Sequence, residues 1–206
     1  MLLHNKLFSE SPFLSFFPLL LCIIGIIRKN RVLIAVGAIL LLFLLYFYRN
    51  PQCSKTFSND TVVAPSFGTV KAIKKEGDKI HVAIFLSPFD VHQQYYPMNG
   101  IVTNRVYDRN GKFDIAFQLD KSRHNEKKIH SILTAHGDVT VTQIAGFLVR
   151  AIVSDEEIGK PVEAGKRFGM IKFGSRVDLE LPEKGLQLYC KVGDKISRGK
   201  IIGKYN

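Results

Sequence analysis

Two short stretches of this sequence carry residue types that could do chemistry. In the first, Ser175 directly follows Gly174. A glycine carbonyl is unhindered, because no side chain blocks approach to it. A serine hydroxyl held rigidly beside that carbonyl is placed to attack its own backbone. The second stretch is Leu86-Ser87-Pro88-Phe89-Asp90-Val91-His92. His92 can take and return a proton near neutral pH. Asp90, two residues earlier, would lie on the same face if the preceding strand continued.

Attack on the backbone requires a frame, and the flanks of Gly174-Ser175 supply one. Phe168, Met170, Ile171 and Phe173 precede the pair. Val177, Leu179 and Leu181 then alternate with Arg176, Asp178 and Glu180. Alternation with period two predicts β-strands on both sides. The pattern is β from Thr61 onward. Residues 62–70 read as strand, turn and strand, and Lys79 to Phe85 as another strand. Phe113 to Leu119 alternates, and 129–135 with 139–145 predicts a hairpin across His136-Gly137-Asp138. Residues 146–153 fit either a strand or a short helix. A near-repeat spaced by 34 matches 158–170 to 192–204, with glycines at 159, 165 and 169 recurring at 193, 199 and 203. Spaced glycines between β-branched residues suit tight turns. The expected fold is mainly β, a small barrel or sandwich following an N-terminal helical hairpin.

That hairpin is predicted from residues 1–50. Pro12 to Ile27 is an apolar run of 16 residues, Arg28-Lys29-Asn30-Arg31 interrupts it, and Val32 to Tyr48 is a second run of 17. As helices these would measure about 24 and 26 Å, short of a ~30 Å hydrocarbon core. Two spans in a tight hairpin and a hairpin dipping into one leaflet both fit. Tyr46-Phe47-Tyr48-Arg49 resembles an interfacial belt. The expected organisation is a membrane anchor at 1–50, a linker at 51–60 and a β-rich domain at 61–206. The basic turn and the basic domain compete in the charge rule, so the side of the membrane stays open. The net charge of +11 comes without recognition helices or stacking surfaces, so nucleic acid is not the expected partner. Beside an anchor, that charge favours an anionic bilayer. Cysteines 22, 53 and 190 have no metal-ligand or disulfide-framework spacing.

Phe173-Gly174-Ser175-Arg176-Val177-Asp178 resembles the processing site of the phosphatidylserine decarboxylase proenzymes, especially their short form. Further matches are Tyr46 to Pro51, Ser87-Pro88-Phe89-Asp90-Val91-His92, Leu119-Asp120-Lys121 with Asn125-Glu126, and Gln143-Ile144-Ala145-Gly146. The resemblance covers roughly residues 46–182 in unbroken order. It implies that Ser175 attacks the Gly174 carbonyl, giving an ester, and that elimination leaves a pyruvoyl group at position 175. Glycine admits the attack, and an oxygen on Cβ is what can be eliminated. The pyruvoyl ketone would bind an amine substrate and act as an electron sink for decarboxylation. By the same match His92 is the catalytic base and later the proton donor, with Asp90 orienting it or structural. The substrate implied is phosphatidylserine in a membrane, and chain 175–206 would remain as a partner of 1–174. Self-association into a homo-oligomer is compatible with the sequence.

Two positions depart from the family pattern. Pro65-Ser66-Phe67-Gly68 stands where relatives have Pro-Ala-Asp-Gly, and Gln93-Gln94-Tyr95-Tyr96-Pro97 replaces Val-Asn-Arg-Ala-Pro. The missing aspartate belongs to the group that activates the serine, so slow maturation is expected. The alternative is a membrane-anchored relative that binds lipid without processing. A lipoyl- or biotin-carrier domain is disfavoured, because Lys172 and Lys200 lack the flanks such a lysine needs.

Overall fold

The computed structural model describes residues 6–109, 111, 125–146, 152–155, 158–172 and 175–206. The chain separates into two compact units, residues 1–52 and 53–206.

The first unit holds α1 (Leu7–Glu10), α2 (Pro12–Ile27) and α3 (Arg31–Phe47). Asn30 ends the basic turn by accepting the N–H groups of Val32 and Leu33, at 3.0 and 3.2 Å, a side-chain cap for α3. The two long helices approach closely at Gly25 and Gly37. A Cβ at Gly37 would lie 2.6 Å from the Cys22 sulfur and 2.7 Å from the Pro18 carbonyl. At 16 and 17 residues, no helix among those described is long and apolar enough to cross a membrane.

Among the described residues the second unit is β throughout. In chain order its strands are β1 (Thr61–Val63), β2 (Gly68–Glu76), β3 (Lys79–Leu86), β4 (Gln93–Tyr95), β5 (Gly100–Asp108), β6 (Lys127–Thr134) and β7 (Gly137–Ile144). There follow β8 (Ile152–Ser154), β9 (Pro161–Val162), β10 (Arg167–Ile171), β11 (Ser175–Pro182), β12 (Leu186–Leu188), β13 (Lys195–Ile196) and β14 (Ile201–Tyr205). An eight-stranded sheet runs β13-β2-β3-β11-β7-β6-β5-β9 and curls into a half-barrel. Two three-stranded sheets, β1-β14-β12 and β4-β10-β8, complete the fold. Val70, Val82, Ile84, Val139, Val141, Val177 and Leu179 are fully buried at its centre. The mainly β expectation is met. The hairpin falls at β6–β7, and residues 152–154 form strand. The alternating stretch 113–119, Asp120 and Lys121 lie outside the described residues, as do Phe173 and Gly174.

The near-repeat marks a larger duplication. Gly159 and Gly193 both take positive φ, as do Gly165 and Gly199. Gly159 N–H donates to Val102 O and Val102 N–H to Lys160 O; Gly193, Val70 and Asp194 repeat that pair of bonds. The β1–β14 register (61↔204, 62↔203, 63↔201) has the same form, bulge included, as the β4–β10 register (93↔170, 94↔169, 95↔167). β12 pairs with β14 as β8 pairs with β10, and the β2–β3 and β5–β6 hairpins carry matching bulges. One half is therefore the continuous run β4 to β10. The other is β1–β3 plus β11–β14, with the first half inserted between β3 and β11. Where the continuous half turns from β6 to β7 through Ala135-His136, the split half leaves at Leu86 and returns at Ser175. The two halves meet where β7 pairs with β11.

Candidate functional site

Ser175 is the first residue of β11 and pairs with Leu86, the last residue of β3. Both ends of the insertion therefore lie side by side. β11 is central in the large sheet, with β3 on one flank and β7 on the other. Its alternate residues Val177, Leu179 and Leu181 are fully buried, as is Ser175. The Ser175 Oγ has no hydrogen-bond partner among the described residues. A buried hydroxyl left unpaired is costly, which makes its retention a pointer to chemistry.

His92 closes the outgoing connection. β3 stops at Leu86 because Pro88 follows and Asp90 folds the chain back. The Asp90 N–H donates to Ser87 O at 2.9 Å, and Asp90 Oδ2 accepts the Ser87 N–H at 2.8 Å. Asp90 and His92 therefore sit in a turn and not along an extended strand face. His92 is fully buried, and its Nδ1 lies 2.9 Å from the Asp90 carbonyl oxygen. A carbonyl only accepts, so Nδ1 carries the proton and Nε2 is the basic nitrogen of the neutral ring. The orienting group is the Asp90 backbone, while its carboxylate braces the turn.

Register brings these two connections together. Leu86 is opposite Ser175, and Gln93 is opposite Met170, so the two ends of the 87–92 connection lie beside Ser175 and Met170. The Ile171 N–H donates to the His92 carbonyl at 3.2 Å. The duplicate half offers a comparison for this position. Asp60 is the counterpart of His92, and its carbonyl likewise accepts from Tyr205 N at 2.9 Å. Its carboxylate meets His136 Nε2 at 3.0 Å, and His136 immediately precedes Gly137, the counterpart of Ser175.

Phe67 is half-buried, its ring 6.3 Å from that of Tyr95, over which the Arg198 guanidinium lies at 4.5 Å. Neighbouring Ser66 is buried opposite Gln94. In the other half the Phe67 position is Asn99, whose Oδ1 accepts the Ala164 N–H at 2.7 Å. A polar side chain here can hold the facing glycine turn, and phenylalanine cannot. Phe67→Asp is expected to speed maturation and Phe67→Asn to leave the rate unchanged while raising the melting temperature. Equal acceleration by both, followed by gel over time, would assign the effect to the turn instead of to charge.

The remaining sequence candidates divide. Asn125 donates to Ala145 O at 2.9 Å and Glu126 accepts the Tyr107 hydroxyl, so this pair fastens strand ends. Burial pushes the Tyr107 hydroxyl up to about 12, and the Glu126 carboxylate adds to the rise. Arg176 points to the opposite face of β11 from Ser175 and pairs with Asp178 at 2.8 Å. Both line a cavity of about 220 Å³ with Lys74, His81 and Glu180. Burial raises the Asp178 pKa, and Arg176 pulls it back. Gln143 does reach the site, through Gln94, which lies in the stretch that departs from the family pattern, and through His130. The available signal was a histidine on the buried phase of β6, which it shares with Lys128 and Ile132. No cluster of metal-ligating side chains is present among the described residues.

A model of the phosphatidylserine decarboxylase family matches residues 40–204. Proteins named phosphatidylserine decarboxylase proenzyme are similar along most of the chain. One from Chlorobaculum tepidum is 39% identical over 183 residues, covering 85% of this chain and 83% of the relative. One from Chlorobium phaeovibrioides is 40% identical over 173 residues, covering 81% and 78%. A more distant source, Rickettsia africae, gives 37% over 188 residues, covering 85% and 80%.

Proposed function

Because the chain belongs to the phosphatidylserine decarboxylase family, we propose that it cuts itself between Gly174 and Ser175 and so builds its own pyruvoyl group. Its reaction is the decarboxylation of phosphatidylserine to phosphatidylethanolamine, and kinship with proenzymes favours that over a non-processing lipid binder. The observation that supports self-cleavage is the buried hydroxyl at the start of β11, unpartnered among the described residues, beside the turn that carries His92.

The proposed steps use the side chains of Ser175 and His92. His92 Nε2 takes the Ser175 hydroxyl proton, and Oγ bonds to the Gly174 carbonyl carbon as the C–N bond breaks. The amine of residue 175 is freed and an ester remains. Loss of the Ser175 Cα proton expels the Gly174 carboxylate, breaking the Cβ–O bond. Water then converts the dehydroalanine to the ketone and releases ammonia. Removing the hydroxyl breaks no hydrogen bond among the described residues, so the site fits the product as well as the precursor. The ketone supplies an electron sink for the pair left behind when carbon dioxide departs. His92 then holds a proton for the substrate carbon, and the buried strand faces exclude water. Asp90 keeps the turn, and through its carbonyl the ring, in register. Intact-mass measurement of the purified protein tests the cleavage and the group it leaves at residue 175.

The hairpin is proposed to seat the enzyme in lipid. Phe13, Phe16, Ile27, Val32, Ile39 and Leu42 are exposed on α2 and α3, a surface suited to hydrocarbon. Deleting residues 1–50 should move the domain to the soluble fraction. It should also lower turnover of bilayer substrate by more than that of dispersed short-chain substrate, because the anchor supplies proximity. Equal losses on the two substrates would make the hairpin part of the catalytic fold.

A further inference from the structure

The His92 carbonyl is the end of a buried line of hydrogen bonds that crosses the continuous half of the domain. Gln94 Nε2 donates to it at 2.8 Å. Gln143 Nε2 lies 2.8 Å from Gln94 Oε1, and His130 Nε2 lies 2.8 Å from Gln143 Oε1. All four residues are fully buried. The direction of every bond is fixed from one end. The His92 carbonyl can only accept, so the Gln94 amide nitrogen faces it. Gln94 Oε1 must then accept from Gln143, whose own oxygen accepts from His130. His130 therefore carries a proton on Nε2. Its ring is held edge-on to Phe168 at 4.9 Å, and the same carbonyl also receives Ile171 N–H, at the start of the connection into Ser175.

The duplicate half provides an internal control. Its counterparts of Gln94, His130 and Gln143 are Val62, Val82 and Leu181, all fully buried. The same strands pair there in the same register with apolar side chains in place of the line. The fold does not require these polar groups, and keeping them buried is costly wherever pairing is incomplete. We propose that His130, Gln143 and Gln94 are positioning residues. Together they clamp the His92 carbonyl, and so fix the imidazole relative to the bond that Ser175 attacks. The line is directional, so it fails if any member loses its donor. The inference rests on the role given to His92 above.

The test uses full-length protein made in a cell-free reaction, with self-cleavage followed by gel and intact mass, and folding by thermal melting. Replacing the whole line with apolar residues of similar volume, Gln94→Met, Gln143→Leu and His130→Leu together, should leave melting at or near the wild-type value. Removing all partners at once strands no group in the line. Cleavage should slow about 10²-fold, the cost of a misplaced catalytic group. Gln94→Glu is the second arm and keeps the shape. As a neutral acid its O–H can donate to the His92 carbonyl while its other oxygen accepts from Gln143; as a carboxylate it can only accept. Its cleavage rate relative to wild type should fall as pH rises through one added titration, whereas Gln94→Met should be slow at every pH. A folded triple variant that cleaves at the wild-type rate, or a Gln94→Glu profile parallel to wild type, overturns the inference while wild-type cleavage upholds the reading it rests on. A wild type that never cleaves removes both.

Discussion

Ser175→Ala is expected to stay a single chain of 206 residues, where the wild type is expected to separate into chains of 174 and 206 − 174 = 32 residues. No other hydroxyl stands at the Gly174 carbonyl in sequence, and without Oγ neither ester formation nor elimination has an atom to use. The effect is total, a loss of cleavage below detection by intact mass. A second consequence separates this serine from an ordinary one. An unpaired buried hydroxyl costs about 1–3 kcal/mol, and the Ser175 Oγ is such a group among the described residues. The alanine variant should therefore melt higher than an uncleaved wild-type chain trapped before processing. A variant that both cleaves poorly and melts lower would mean that Oγ has a structural partner. A wild type that remains uncut with an unmodified serine would sink the enzyme mechanism outright.

His92→Ala is expected to impair two reactions that share one group. General-base assistance contributes on the order of 10²–10⁴-fold, so self-cleavage should slow by that much. The slowing is recoverable in part, since each molecule cleaves once and can be given days. Protein that does mature should then decarboxylate poorly by a similar factor, because the proton returned to substrate comes from the same nitrogen. Measuring turnover per cleaved chain, not per total protein, isolates the second effect. Normal turnover per cleaved chain would confine His92 to maturation, and normal behaviour in both would remove it from the mechanism. Asp90→Asn should be mild, because an amide oxygen can still accept the Ser87 N–H and the orienting carbonyl is unchanged.

How much of this was legible in the sequence depends on the range of the interaction. Period-two alternation at 176–181 located β11, and spaced glycines at 159, 165, 193 and 199 located the turns, because both signals are local. The Gly174-Ser175 pair and His92 were visible as residue types. Their proximity was not, since it depends on a register that links Leu86 to Ser175 across an inserted half-domain. Sequence alternation suggested that Asp90 would share a face with His92. Pro88 and the Asp90 side chain end the strand first, and only the backbone carbonyl of Asp90 meets the ring. His130 matches no ligand spacing in the sequence, and its meaning comes from Gln143 and Gln94 on other strands. The near-repeat of residues 158–170 understated the duplication, because the rest of each half keeps backbone pairing while changing side chains.

The placement of β11 also decides what a cut chain can do afterwards. Residues 175–206 contribute a central strand gripped on both flanks by β3 and β7, and β14 is laced between β1 and β12. A fragment woven in this way does not depart when one covalent link is severed; the ladders hold it with no tether. Assembly, however, was accomplished while the pieces were one molecule, with loop closure the only entropic barrier. After denaturation the same pieces would have to find each other in solution, with recovery dependent on concentration. The proposed maturation would thus make the native state hard to regain once lost, with its durability resting on the rate of escape more than on refolding.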